Sequence, residues 1–281
     1  MSLSTLAKSL LGRKGLGLRH EAPRRTDRVW MGGDGGTTQA AAVREMPVKA
    51  EGYVTLEPHC PPVGDQQQTS KCVGEAIHVA TAIVESVYNL PYDPISPDAC
   101  YRQSVLAHTL PGALPVDEGT YIRVALSEVG KKGCATLAEW ARRNSNRVME
   151  PVPSPLKAHG YNRRGLRYEF IVSRDIEEEL DMCDAAIAQH RPIVFGWAVT
   201  ERYMAHRGDL PFDARVRKTD VVRGGHAQVQ ITQRDEFGIV RLRNSWGTRW
   251  GDGGNINVIG ETMLRRDLCL VSGWERLSYA T

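Results

Sequence analysis

A histidine and an asparagine in the C-terminal part of the chain stand at a spacing that could bring them together. His226 opens an alternating run of apolar and polar residues, and residues 239–246 form a second strand-like run. The polar stretch between them ends in Gly238 and predicts the turn of a β-hairpin. The midpoint of His226 and Asn244, (226 + 244)/2 = 235, falls inside that turn. Antiparallel pairing would therefore set the two side chains opposite each other, within a residue or two.

The chain offers six cysteines as partners for such a pair, at positions 60, 72, 100, 134, 183 and 269. Cys72 has the best environment, because apolar residues at helical spacing follow it from Val73 to Val87. Ser70 or Thr69 is the expected N-cap of this helix. A thiol in the first turn of a helix faces the positive end of the helix dipole and several N–H groups, which favour the thiolate. We therefore expect Cys72 to be a nucleophile and the other five cysteines to be packing residues.

Cys72, His226 and Asn244 have the residue types of a nucleophile, a general base and a group that orients the base. Gln66 precedes Cys72 by six positions, in a loop from which its amide could point back at the attacked carbonyl. With the backbone N–H of Cys72, this amide would form an oxyanion hole. The set predicts acyl transfer through a thioester, as in peptide-bond hydrolysis.

The elements that must position these residues are unlike in the two halves of the chain. Besides the helix after Cys72, the first half predicts a helix over residues 120–129. Residues 152–165 read as a crossing between two lobes. The second half predicts a helix over residues 176–187, an apolar strand over residues 193–199 and then the hairpin. This order predicts an α+β protein with a helical lobe and a strand-rich lobe.

The motifs resemble those of papain-like cysteine peptidases, particularly bacterial and phage-type members, over about residues 46–275. The order of the motifs along the chain also agrees. The matching pieces are Asp65-Gln66 with Cys72, Asp117-Glu118-Gly119, Gly225-His226-Ala227, Asn244-Ser245-Trp246-Gly247 and Trp250-Gly251-Asp252.

The resemblance implies a two-lobed fold with the active site in the cleft between a helical left lobe and an antiparallel, barrel-like right lobe. It implies that Cys72, His226, Asn244 and Gln66 are catalytic. It also implies that Gly119, Trp246 and Gly225 bind substrate. Gly119 would pair with the substrate backbone, and Trp246 would shield the His–Asn hydrogen bond. The domain would span residues 46–281, with the helical lobe at about 65–160 and the strand-rich lobe at about 165–275.

Two departures from the family pattern keep other functions open. Gln67 stands where the family usually has glycine, and Lys71 stands directly before the nucleophile, where its charge could favour a thiolate. One alternative is a papain-fold protein with weakened catalysis that acts as a structural or binding component of a larger assembly, such as a phage particle. Another keeps the same triad for acyl transfer to an amine or for cleavage of a cell-wall peptide.

Residues 1–45 differ in composition from the rest and are expected to form a basic, partly flexible arm. They carry eight Lys/Arg against four Asp/Glu, or +4, so the remaining residues have 28 against 29, or −1. A short amphipathic helix is predicted over residues 5–11. Three interpretations stay open: a disordered tail, an arm that docks on a partner protein or assembly, and a leader that covers the active site. The presence of the segment from Met1 onward weighs against a removed propeptide.

The charge and residue content of the chain limit the classes of partner that we expect. The near-neutral main domain gives no reason to expect nucleic-acid binding, and no apolar stretch is long enough to span a bilayer. The cysteines and histidines lack zinc-ligand spacing, so neither a metal nor another cofactor is expected. The expected partner is a peptide or protein substrate. No secretory signal is evident, which favours the cytoplasm by default, or carriage within an assembly.

Overall fold

The computed structural model describes residues 16–20, 29–30, 52–90, 92–142, 147–150 and 165–274. The predicted helix over residues 5–11 lies outside these residues. So does nearly all of the predicted crossing at 152–165. In the part of the chain that is described, no helix is both long and apolar enough to cross a membrane.

Among the described residues, three helices build the first lobe. They are α1 (Cys72–Val87), α2 (Pro97–His108) and α3 (Ile122–Lys132). Helix α1 is buried along almost its whole length, with apolar and small side chains on all sides, so it serves as the central helix. The predicted helix at about 120–129 starts at Ile122, because residues 120 and 121 form a short strand, and it continues to Lys132, where Gly133, at φ +77°, caps the C-terminus.

The second lobe is a seven-stranded sheet. Its described strands are β2 (Val29–Trp30), β4 (Leu166–Ile171), β5 (Ile193–Thr200), β6 (Val222–Gln230), β7 (Ile239–Arg243), β8 (Asn255–Ile259) and β9 (Arg266–Trp274). Their order is β2-β4-β9-β5-β6-β7-β8, with every neighbouring pair antiparallel except β2 with β4. Strands β1 (Leu18–Arg19) and β3 (Thr120–Tyr121) pair with each other outside this sheet. Helices α4 (Ile176–Ala188) and α5 (Glu201–Met204) flank β5.

The predicted hairpin is confirmed, with a register one residue later than expected. Strands β6 and β7 pair Val229 with Arg243, so the centre of the turn is (229 + 243)/2 = 236. Strand β6 begins at Val222, before His226, and lies between β5 and β7. The expectation of a half-buried strand is wrong: residues 226–230 are buried on both faces, because α1 packs against β6.

A single apolar core joins α1 to β5, β6 and β9. Its burial supplies the main driving force for holding the two lobes together. The N-terminal end of α1 therefore meets the middle of β6 at a fixed place, and this junction is where the expected site residues gather.

Two short pieces of the N-terminal region are also fixed to this body. Strand β1 pairs in parallel with β3, and strand β2 pairs in parallel with the edge strand β4. Apart from residues 16–20 and 29–30, the segment expected to form an arm, residues 1–45, lies outside the described residues.

Candidate active site

Cys72 is the first residue of α1 and its side chain is fully buried. The predicted N-cap at Ser70 or Thr69 is wrong: Lys71 occupies the N-cap position and makes no side-chain capping bond. The helix therefore leaves its first backbone N–H groups to the thiol, and those of Val73 and Cys72 itself are directed at the sulfur. The N–H groups of Ala227 and Gly17 also point at it.

The expectation of a thiolate at Cys72 is wrong for this state. Burial raises the pKa of the Cys72 thiol to about 11, although the four N–H groups act to lower it. Removing a charge from water costs more here than the helix dipole and the hydrogen bonds return. Cys72 is a neutral thiol at neutral pH when the cleft is closed in this way.

His226 and Asn244 lie together as the hairpin arithmetic predicts. Nε2 of His226 is 2.7 Å from Oδ1 of Asn244, which also accepts a hydrogen bond from the backbone N–H of Ser245 at 2.7 Å. Because that oxygen only accepts, Nε2 carries the proton and donates it. The tautomer leaves Nδ1 without a proton, as a general base requires.

An aromatic group encloses this hydrogen bond. The ring of Trp246 stacks on the imidazole of His226, with centroids 4.5 Å apart and planes at 30°. Trp250 and Tyr203 each pack edge-on against Trp246, and they contact one another at a tilted angle. Trp246 lies beyond the end of β7 and forms an antiparallel bridge with Asp65.

The imidazole of His226 is neutral, and its Nδ1 is available to accept a proton. Burial lowers the pKa of His226 to about 4, against a smaller opposite effect of the bond to Asn244. Its Nδ1 is buried and has no hydrogen-bond partner within the described part of the chain. Cys72 lies close by, because the N–H of Ala227, the next residue along β6, points at its sulfur. Thiol and imidazole therefore form an uncharged pair that is not hydrogen-bonded in this state.

Gln66 is fully buried and its amide is held at both ends. Its Oε1 accepts a hydrogen bond from Ser245 Oγ at 2.7 Å, and its Nε2 donates to the carbonyl of Thr69 at 2.9 Å. The backbone N–H of Gln66 also donates to the Ser245 carbonyl, at 2.8 Å. Gln66 in the helical lobe is thus tied to the residue that follows Asn244.

Gln67 adopts the backbone conformation that explains the usual glycine of the family pattern. Its φ is +54°, in the left-handed region, and its N–H donates to Oδ1 of Asp65 at 2.7 Å. A non-glycine residue pays a steric cost in this conformation. The loop keeps its shape despite the substitution, and Gln66 stays in place.

Lys71 does not direct its charge at Cys72. Its Nζ lies 2.9 Å from Oδ2 of Asp98 and 3.8 Å from Oε1 of Glu75, and the side chains of Lys71 and these two acids are at most 1% exposed. Arg142 also contacts Glu75. The lysine therefore links the loop before Cys72 to α2 through a buried ion pair, and the expected electrostatic effect on Cys72 is replaced by a structural one.

Asp117, known from the sequence only as part of a motif, and Tyr101, which the sequence did not single out, position two edges of the site. Oδ1 of Asp117 accepts hydrogen bonds from the backbone N–H of Ser70 at 2.9 Å and from the hydroxyl of Tyr101 at 2.7 Å. The same hydroxyl accepts from the N–H of Gly119 at 3.0 Å. The Asp117 carboxylate thus fixes the loop before Cys72 directly, and it fixes the backbone at Gly119 through the Tyr101 hydroxyl. The Asp-Glu-Gly motif was the available signal.

The cleft between Gly119 and Gly225 is occupied by residues 16–20 of the chain itself. The N–H of Thr120 donates to the carbonyl of Gly17 at 2.7 Å. A Cβ on Gly119 would lie 2.0 Å from the Gly17 oxygen, and one on Gly225 would lie 2.5 Å from the Leu18 oxygen. Both glycines therefore border a strip of extended backbone on opposite sides, with Gly17 at the Cys72 thiol.

A cavity of about 730 Å³ has Trp246 in its lining. Asp65, Glu201, Gly247 and Trp250 are among its lining residues, and residues 16–20 are not. Residues 16–20 thus fill the cleft between Gly119 and Gly225, and the cavity lined by Trp246 is separate from that cleft. Within the described ranges, no group of three or more His, Cys, Asp or Glu is arranged to hold a metal ion.

Comparison with solved structures agrees with this architecture. Xylellain, a cysteine protease from Xylella fastidiosa, superposes with a TM-score of 0.73 at 21% identity, over 92% of this chain and 96% of that one. The digestive procathepsin L 3 of Tenebrio molitor gives 0.57 at 13% identity, over 96% and 79%. Bromelain from Ananas comosus gives 0.54 at 17%, over 79% and 98%. The chain has a papain-like fold.

Sequence comparison adds one similar protein to this papain-like set. An uncharacterised peptidase C1-like protein of Acanthamoeba polyphaga mimivirus is 26% identical over 214 residues. The match covers 69% of this chain and 63% of that protein, so the two share a large part but not the whole of their lengths. No family model matches the sequence.

Proposed function

We propose that this papain-like protein is a cysteine peptidase that cleaves peptide bonds through an acyl-thioester on Cys72. The observation that carries the proposal is the His226–Asn244 hydrogen bond under Trp246, set against a cysteine at the start of a buried helix. The mimivirus relative and the protease neighbours support the same activity.

The geometry supports a defined role for each residue. Nδ1 of His226 takes the proton of the Cys72 thiol, and the sulfur attacks the substrate carbonyl. The backbone N–H of Cys72 and an Nε2 hydrogen of Gln66 stabilise the oxyanion. The imidazolium, oriented by Asn244, then protonates the leaving amine, and water releases the acyl group with His226 as base again.

We propose that the peptidase is latent while residues 16–20 lie in the cleft. Gly17 stands where a substrate backbone must meet Cys72, and Leu18 is buried between the lobes. The raised thiol pKa and lowered imidazole pKa belong to this covered state, because burial is the main cause of both. Displacing the segment would admit water and substrate and restore the conditions for thiolate formation.

Endopeptidase action fits the space around the site better than exopeptidase action. Extended backbone of the covering segment fits beside Cys72, and the cavity lined by Trp246, which residues 16–20 do not line, offers further room. Residues can thus extend from both sides of the cleaved bond.

The second candidate function is a papain-fold binding component with weakened catalysis. The Nε2 bond of Gln66 to Thr69 and the unengaged Nδ1 of His226 favour it. Docking of the remaining arm on a partner assembly, and acyl transfer to an amine, stay alternatives that product analysis can separate.

The test uses a variant that expels the segment without adding charge. A Cβ on Gly17 would lie 1.7 Å from the Ser70 carbonyl oxygen, so Gly17→Val cannot keep residue 17 in place. We expect Gly17→Val to cleave an unfolded protein substrate with at least 10-fold higher activity than the wild type, and Gly17→Val/Cys72→Ala to cleave none. Arg19→Lys, a change at a partly exposed side chain of the same segment, is the matched control and should stay latent. Cleavage retained by the Cys72→Ala chain would refute the assignment, and no cleavage by Gly17→Val would favour the binding component.

A further inference from the structure

Two buried cysteines of the helical lobe face each other away from the candidate active site. Cys100 lies in α2, Cys134 lies two residues after the end of α3, and both are at most 2% exposed. A hydrogen bond between their side chains, followed by burial, raises the pKa of the Cys134 thiol well above its usual range. Both thiols are free in this structure. Their sulfur atoms are therefore neighbours where the chain after α3 packs on α2.

Hydrogen bonds on both sides of the second cysteine hold it in this place. The residue before it, Gly133, accepts at its carbonyl a hydrogen bond from Nε2 of Gln103 at 3.1 Å. The residue after it, Ala135, accepts at its carbonyl a hydrogen bond from the N–H of Ser96 at 2.8 Å. Gln103 and Ser96 lie about one helical turn on either side of Cys100. The two thiols are thus held opposite each other by the backbone around them.

Two other buried cysteines are placed differently. Burial raises the pKa of Cys183 to about 12 and that of Cys269 well above its usual range, and no cysteine is among the groups that act on either thiol within the described ranges. A single buried thiol of this kind is a small packing residue. Two thiols in contact can instead be joined with little movement of the backbone.

We propose that Cys100 and Cys134 form a redox-active dithiol pair, which a small-molecule disulfide such as glutathione disulfide oxidises to an intramolecular disulfide. One cysteine, as its thiolate, attacks a sulfur of glutathione disulfide and releases one glutathione. The other cysteine then attacks the mixed disulfide and releases the second glutathione. The two protein thiols lose two electrons and two protons, which the two released glutathione molecules carry. Because both thiols are buried, the reaction starts from a locally open state of the lobe.

The disulfide would stabilise the part of the helical lobe that supports the site. It would close a loop of 34 residues (134 − 100) and so reduce the freedom of the unfolded chain. Asp98 and Tyr101 flank Cys100 in α2, and they bind Nζ of Lys71 and the N–H of Gly119. Oxidation therefore fixes the helix that holds both edges of the cleft. This inference goes beyond the proposed function and does not depend on catalysis by Cys72.

Peptide mapping tests the pair directly. The full chain with Cys72→Ala is used, so that the active-site thiol cannot react. A folded sample and a sample refolded from urea are each exposed to glutathione disulfide, their free thiols are blocked with iodoacetamide in denaturant, and mass spectrometry of the digest locates any linked peptides. We expect a link between residues 100 and 134. We also expect the midpoint of thermal unfolding to rise by roughly 5–10 °C, and dithiothreitol to reverse the rise.

Two variants give matched controls. Cys134→Ala removes one member of the pair, and Cys183→Ala removes a buried thiol of α4. The rise in midpoint on oxidation should vanish with Cys134→Ala and remain with Cys183→Ala. Glutathione bound to single cysteines without a 100–134 link in the refolded sample, or an equal rise with Cys134→Ala, would overturn the pair. If Cys134→Ala does not fold, the linked peptide in the parent chain still decides.

Discussion

The β-rich lobe presents His226 and Asn244 from one hairpin and the strand end that follows it, whereas the helical lobe presents Cys72 from a loop that distant residues hold. In the hairpin, backbone pairing alone fixes which residues meet. In the loop, a buried ion pair at Lys71, a carboxylate at Asp117 and the ties of Gln66 to Ser245 share the work. The first arrangement depends on local register, and the second on contacts far apart in the sequence.

The strongest way to break this comparison is to remove the buried ion pair. Lys71→Met leaves the Asp98 carboxylate buried without its ammonium partner, so we expect unfolding free energy to fall by about 3–5 kcal/mol. Urea unfolding measures it. The double variant Lys71→Met/Asp98→Asn removes both charges and should recover much of the loss; equal losses in the single and double variants would show that the pair does not hold the loop.

Sequence spacing predicts contacts within a hairpin better than contacts between distant segments. The midpoint of His226 and Asn244 sufficed to place them together, because antiparallel register converts sequence spacing into distance. The pKa of Cys72 could not be foreseen, because its burial depends on β6 and on Gly17, a residue 55 positions away by the numbering (72 − 17). The position of Lys71 was noticed, but its partner Asp98 belongs to another helix.

The link between the lobes can be sharpened at Gln66. In the Gly17→Val background, Gln66→Ala should lower kcat by roughly 100- to 1,000-fold, the usual loss on removing one oxyanion donor. Steady-state kinetics measures the loss. Ser245→Ala is the control: it removes only the hydroxyl that orients Oε1, and a loss below about 10-fold is expected. Equal losses would show that Gln66 acts as a structural tie between the lobes.

The buried histidines predict how stability depends on pH. Burial lowers the pKa of both His226 and His78 to about 4. An unfolded histidine titrates near pH 6.5. The unfolded state therefore binds more protons between pH 6.5 and pH 4, so stability is highest above this window and is lost as the pH falls through it.

Replacing one histidine separates the contributions of the two lobes, since His226 belongs to the sheet and His78 to α1. Each histidine should cost about 2 kcal/mol at pH 5 relative to pH 7.5. Urea unfolding of His226→Gln at the two pH values should show a loss smaller than that of the wild type by this amount. An identical loss in the two proteins would mean that His226 is not buried as a neutral group.

The smallest expected effect concerns the strained residue of the loop. Gln67→Gly relieves the left-handed conformation at φ +54° and should raise the unfolding free energy by about 1 kcal/mol. The neighbouring Gln68, also exposed but without a positive φ, is the matched control. Gln68→Gly should lower the stability slightly, and a gain at position 68 equal to that at 67 would rule out strain as the cause.

The most direct measurement of the central claim, that Cys72 is a nucleophile kept latent by residues 16–20, is its alkylation rate at pH 7. Iodoacetamide labelling of the folded chain, located by mass spectrometry, compares the wild type with Gly17→Val. A thiol pKa of about 11, against the ordinary 9.0, leaves roughly 100-fold less thiolate, so wild-type Cys72 should react far more slowly than free cysteine. In Gly17→Val it should react faster than free cysteine, because the exposed helix N-terminus and His226 then favour the thiolate. Equal, slow labelling of Cys72 in both proteins, with the segment shown to be displaced, would contradict the account.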